Sequence, residues 1–194
     1  YNIGSEKGAK TVSLREFQVD GKAVQKVAVV HASGGALAAS STGSEGLLTR
    51  SANGQCLAVP GYAAAPGDTV LKGSAASVAQ RAVALVHADG AVASLQKLGA
   101  KAFDGDSIRS AATADCAGAW ASGNGSADKD GGLWYTSAAT LNQLAAGNMQ
   151  GLAAAGQLFV SVASGGTLNQ VGVGMPTAGQ PTLTLVNGLP PNNF

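Results

Sequence analysis

Apolar residues in this chain come in short runs cut by glycine and small polar residues. A short alternating stretch over 11–19 precedes the run Ala23-Val24-Gln25-Lys26-Val27-Ala28-Val29-Val30, which reads as a strand. Ser33-Gly34-Gly35 and then Ala36-Leu37-Ala38-Ala39 complete a hairpin pattern, since glycine supplies the positive φ of a tight turn. Further turn formers fill 41–55, and Pro60-Gly61 and Pro66-Gly67-Asp68 are expected to punctuate the next stretch. From Val78 to Leu98 the chain is apolar again. Two runs flank Asp89-Gly90, the favoured pair of a type I′ hairpin turn. A helix over 74–87 competes, because alanine is the best helix former. The β-branched valines and the flanking turns favour strands.

Residues 121–133 have the composition of a loop. Residues 137–154 are the best helix candidate. Leu141, Leu144 and Ala145 would share one face, although Gly147 and Gly151 interrupt it. A third hairpin is predicted from Leu158-Phe159-Val160-Ser161-Val162, the turn Ser164-Gly165-Gly166, and the run 168–175. Within it, Gly172-Val173-Gly174-Met175 alternates glycine with larger residues, as though another backbone approached one face. Thr182-Leu183-Thr184-Leu185-Val186 is a final strand, ended by Asn187-Gly188 and Pro190-Pro191. The expected fold is mainly β: an antiparallel β-sandwich or β-roll of hairpins with one short helix.

An internal duplication is suggested by Val27-Ala28-Val29-Val30-His31-Ala32-Ser33-Gly34 and Val83-Ala84-Leu85-Val86-His87-Ala88-Asp89-Gly90, which match at six of eight positions. Arg50-Ser51-Ala52 and Arg109-Ser110-Ala111 follow in the same order, and each precedes a cysteine. The copies would span about 23–60 and 79–121, each a hairpin, a loop and a strand ending near Cys. Chance matching in an alanine- and glycine-rich chain is the competing explanation.

Charge sharpens this division. Only 12 % of residues are charged, about half the usual share of roughly 25 %. All lie between Glu6 and Asp130, and the last 64 residues carry no Asp, Glu, Lys, Arg or His. The expected organisation is a duplicated hairpin region, 1–130, and an uncharged β-rich assembly region, 131–194, within one unit. A net charge of +1 without a Lys/Arg cluster argues against nucleic-acid binding. No apolar run reaches the roughly 18 residues of a membrane helix. No secretory leader pattern opens the chain. Beginning at Tyr1 without Met, it is expected to be a processed or trimmed form. Cys56 and Cys116 are expected to form one disulfide in an exported protein, contributing about 3–4 kcal/mol. Two reduced, buried thiols are the alternative.

Candidate chemistry is sparse, and the reading is of a protein that is not an enzyme and uses no cofactor. His31 and His87 occupy equivalent repeat positions, which suits structural roles. A zinc site built from them with Cys56 and Cys116 has no supporting spacing. Gly105-Asp106-Ser107 has the form of a serine-protease nucleophile motif, but Ile108-Arg109 stand where glycines should follow. Ser126, Asp128 and Asp130 alternate like calcium-loop ligands, without a closing Glu near Ser137. Trp120, Trp134 and Tyr135, with Asn124 and nearby Tyr62, could form a platform for a sugar face. The favoured reading is that these aromatics plug a core of otherwise small side chains.

Gly46-Leu47-Leu48-Thr49-Arg50, Gly54-Gln55-Cys56, and the second copy from Arg109 to Cys116-Ala117-Gly118-Ala119-Trp120 resemble a segment of pilus-tip adhesins, the PilV-type minor pilins of conjugative thin pili. About 15 residues per copy carry the likeness. The long N-terminal pilin helix is missing, so only a distal domain would correspond. The resemblance implies a surface-filament subunit that recognises envelope glycans. The functional expectation is an extracellular structural or adhesive subunit of a surface filament or virion, partnered by copies of itself. Uncharged strands pack on one another without the cost of burying charge. A secreted carbohydrate-binding module is the alternative and a secreted hydrolase the second.

Overall fold

The computed structural model describes residues 8–28, 35–40, 42–67 and 70–189, with the backbone alone at 25–28. In chain order the strands are β1 (Lys10–Thr11), β2 (Ser13–Phe17), β3 (Ala23–Ala28), β4 (Leu37–Ala39), β5 (Thr49–Arg50) and β6 (Cys56–Ala63). Then follow β7 (Arg81–His87), β8 (Val92–Lys97), β9 (Ile108–Ala112), β10 (Gly118–Gly123) and β11 (Gly132–Ser137). The last are β12 (Leu141–Ala145), β13 (Met149–Ala154), β14 (Leu158–Val162), β15 (Thr167–Val171) and β16 (Leu183–Leu185). The expected mainly-β, antiparallel class is what forms. Among the described residues the helical content is one 3-10 turn at Asp128–Asp130.

The strands make three larger sheets. The first has the order β1-β4-β6-β7-β8, with β5 also on β6; the second is β12-β11-β10-β9; the third is β13-β14-β15-β16. A separate ribbon pairs β2 with β3. The second sheet is the middle layer, because its side chains alternate between two cores. Ala119, Ala121 and Trp134 pack with Ala58, Tyr62, Val83 and Leu85 of the first sheet. Trp120, Leu133 and Leu144 pack with Leu158, Val160 and Val171 of the third. Small residues at β10 let the two neighbouring layers close on it, and all six of its residues are buried. The other face of the first sheet buries Val59, Ala82, Ala84 and Val86 with Val12 and Leu37.

The first two sheets are joined at a corner by residues 47–53. Thr49 and Arg50 pair with β6 on one side. On the other side Leu47 N–H donates to Arg109 O at 2.9 Å, and Ala52 and Asn53 N–H donate to Thr113 and Ala114 O, each at 3.0 Å. The Cys56–Cys116 disulfide closes the same corner, with Cα atoms 6.1 Å apart. Each cysteine N–H is held by a hydroxyl, Cys56 by Ser51 Oγ at 3.0 Å and Cys116 by Thr113 Oγ1 at 3.2 Å.

Several local expectations change. Residues 137–154 form no helix: they supply β12 and β13, which lie in different sheets. Their helix-forming side chains are overruled by pairing with β11 and by burial of Leu144, Met149 and Leu152. Pro60-Gly61 do not break the chain but sit inside β6. Pro60 lies where the neighbour on that side changes from β5 to β4, so its missing N–H costs no ladder bond. The Asp89-Gly90 hairpin forms as β7 and β8, but with a three-residue loop. His87 N–H donates to Ala91 O at 2.8 Å, and Gly90 alone takes positive φ, at 84°. Gly172 and Gly174 also take positive φ, ending β15 instead of extending it. In the first of the two expected copies, β3 pairs with β2, and β4 with β1 and β6. His31, the Ser33-Gly34 turn and Pro190-Pro191 lie outside the described residues.

Candidate functional site

The aromatic residues do not form a shared platform. Trp120 and Trp134 are neighbours across the ladder's diagonal but project to opposite faces of the middle sheet. Trp120 is 3 % exposed; its indole N–H donates to Pro176 O at 2.7 Å and its ring lies 5.2 Å from that of Tyr135. Trp134 is 7 % exposed, donates to Gly131 O at 3.1 Å, and meets Phe103 edge-on. Tyr62 is fully buried. Of the proposed sugar-binding set, Tyr135 and Asn124 keep partial exposure. Asn124 Nδ2 is engaged with Asp106 Oδ2 at 2.7 Å. These rings fill the space that alanine and glycine leave open, and a sugar has no exposed indole face to stack on.

Other candidates resolve into structural roles. Asp128 O accepts from Gly147 N–H at 3.0 Å and Asp130 O from Phe103 N–H at 2.7 Å, so the acidic loop fastens neighbouring segments through its backbone. Ser126 is exposed beside it. No group of three or more His, Cys, Asp or Glu among the described residues is arranged to hold a metal ion. The Cys56–Cys116 bond removes both thiolates from any zinc site. Ser107 is fully buried and its hydroxyl donates to Asp106 Oδ1 at 3.0 Å. Among the described residues no helix is long and apolar enough to cross a membrane.

One buried polar chain has no signal in the sequence beyond a lone Arg opening an apolar run. Arg81, fully buried on β7, donates to Asp106 O, to Ala79 O at 3.0 Å and to Ser74 O at 2.9 Å. Its guanidinium lies 5.2 Å from the Tyr62 ring centre. The Tyr62 hydroxyl donates to Glu45 Oε1 at 2.7 Å, and Ser40 Oγ to Oε2 at 2.5 Å. Burial raises the Glu45 carboxyl above its usual range, partly offset by these two bonds. Burial and the adjacent Glu45 charge push the Tyr62 phenol far up. The chain is enclosed and fully hydrogen-bonded, which suits a scaffold.

An open cleft of about 340 Å³ lies beside the disulfide corner, with Arg15, Arg50, Leu57 and His87 in its lining. Arg50 is already turned toward Gly54 O, at 3.1 Å.

The third sheet presents a different kind of surface. Its inner side chains, Leu152, Leu158, Val160 and Val171, fill the second core. By register, Ala153, Phe159, Gln170 and Thr184 form one row on its outer face, and Ser161 and Leu168 belong to the next. Phe159, Leu168 and Gln170 are half-buried and Thr184 is exposed. None of the four strands carries an ionisable side chain. The charge boundary at Gly131 falls between β10 and β11, partners in the middle sheet. The uncharged third of the chain thus comprises half of the middle sheet and all of the third. Comparison of the chain with family models, curated proteins and solved structures finds no match.

Proposed function

We propose that this protein is a non-enzymatic, extracellular structural or adhesive subunit, as in a surface filament or virion, that associates with copies of itself through the third sheet. The carrying observation is that sheet's outer face, where half-buried Phe159 and Leu168 stand with Gln170 and Thr184 and no charge, while Ser161 between them is buried and accepts from Gly151 N–H. Soluble surfaces ordinarily intersperse charge to discourage association, and interface centres are depleted of it. The disulfide fits an oxidising compartment outside the cytosol, and the likeness to pilus-tip adhesins points the same way. The carbohydrate-module reading loses its aromatic platform to burial, and the hydrolase reading loses an accessible Ser107. Sedimentation velocity over a concentration series, with electron microscopy of the concentrated protein, tests the proposal. Concentration-dependent growth is expected, abolished in the Phe159→Lys/Leu168→Lys variant. A chain that stays monomeric throughout overturns it.

A further inference from the structure

Among the described residues, backbone hydrogen bonding leaves one side of β16 open. Gly172 N–H donates to Thr182 O at 2.8 Å and Val186 N–H to Leu168 O at 3.0 Å. With the observed register, Thr182, Thr184 and Val186 direct their peptide groups at β15. The N–H and C=O groups of Leu183 and Leu185 therefore point away from the sheet, and β16 is its terminal strand.

Other edges are occupied or charged. The β9 edge is bonded by residues 47–53. The β12 edge is covered by the segment that places Gln180 Nε2 on Gln143 O at 3.0 Å and receives Asn142 Nδ2 at Thr177 O. On β13, Leu152 N–H donates to Ser110 Oγ at 3.1 Å and Gln150 O accepts from Ser122. The β8 edge carries Lys97. Natural edges are blunted by charge, bulges, cover or shortness; β16 pairs without a bulge and has no charge, so its three-residue length is the guard it has.

We infer that β16 pairs antiparallel with β16 of a second copy, about a twofold axis at Thr184. The outward groups fit this operation. Leu183 of each copy lies opposite Leu185 of the other, and each such pair exchanges two hydrogen bonds, four in all. Thr184 then faces its own symmetry mate as the close, non-hydrogen-bonded pair. Leu185, 51 % exposed, gains Leu183 of the second copy as its cross-strand neighbour. No like charges meet across the axis. A strand this short buries far less than the roughly 1,200–2,000 Å² of a stable interface. The pairing therefore acts together with the outer face, and it rests on the assembly reading above.

Two substitutions test the register. Thr184→Lys places two ammonium groups opposite each other, as Thr184→Glu does two carboxylates. Each alone should weaken association roughly fivefold or more, and an equimolar mixture should restore it, because opposite charges then face each other. Leu185→Pro removes an outward N–H and leaves the β15 ladder whole, so folding by circular dichroism should persist while pairing is lost. Sedimentation velocity reads all of these. If the wild type associates and the single variants are weakened but their mixture does not recover, the twofold pairing is wrong while the face contact stands; single variants that associate as the wild type does count against both. A monomeric wild type overturns both.

Discussion

Replacing Cys56 and Cys116 together by alanine removes the covalent tie at the corner between the first and second sheets. The bond spans 60 residues. The chain-entropy relation for that loop gives about 14 cal/mol/K, or about 4 kcal/mol at 25 °C, lost from native stability. For a chain of this size, that lowers Tm by about 8–16 °C. The native corner should survive, because Ala52 and Asn53 still donate to Thr113 and Ala114 at 3.0 Å. The effect therefore acts through a less constrained unfolded state. Urea unfolding followed by tryptophan fluorescence is the assay. Trp120 and Trp134 sit in different cores, so their emission reports on both. Wild-type protein with reductant should match the double variant. A loss below about 1 kcal/mol, or native emission already changed without denaturant, would refute the reasoning.

Other outcomes follow from the buried groups. Arg81→Met should cost about 3 kcal/mol or more, because it strands the carbonyls of Ser74, Ala79 and Asp106 in the core; a urea titration measures it. Glu45 has a folded pKa above its unfolded value, so its contribution is fully present below about 4.5 and is lost as pH rises through the folded pKa. Stability of Glu45→Gln against pH should lack that decline, and an unchanged profile would show that Glu45 is not its source. Gly132 has φ +95°, and an added Cβ would stand 2.0 Å from Ala145 O, whereas at Gly147 (φ +120°) it would meet nothing within 4 Å. Gly132→Ala should therefore lower Tm well beyond Gly147→Ala, which carries only the backbone strain of about 1–3 kcal/mol.

Patterns of short range were the legible ones. The valines of β7 and the Asp89-Gly90 pair announced a hairpin, and paired cysteines in an alanine-rich chain announced a disulfide. What depends on distant partners was hidden. Leu141, Leu144 and Ala145 carry a helical spacing that only the neighbouring β11 overrules. Residues 47–53 look like a loop, because a corner strand split between two sheets has no repeating face. Pro60 reads as a breaker until the change of neighbour beside it is known. The aromatics were ambiguous for a related reason: polar loops flank them in sequence, while alanine faces surround them in space. The uncharged tail was plain in the sequence, but its boundary marks no domain edge. Leu133 and Trp134 lie just past it and fill two separate cores. Truncation at Gly131 would therefore break the fold, and surface substitution is the informative probe.

The central claim is that the charge-free third sheet is a contact between copies. Sedimentation velocity of the wild type beside Phe159→Lys/Leu168→Lys, at matched concentrations and with folding verified by circular dichroism, tests it most directly. The account predicts wild-type mass that rises with concentration and a variant that remains a monomer. A monomeric wild type, or a folded variant that assembles as the wild type does, would contradict it.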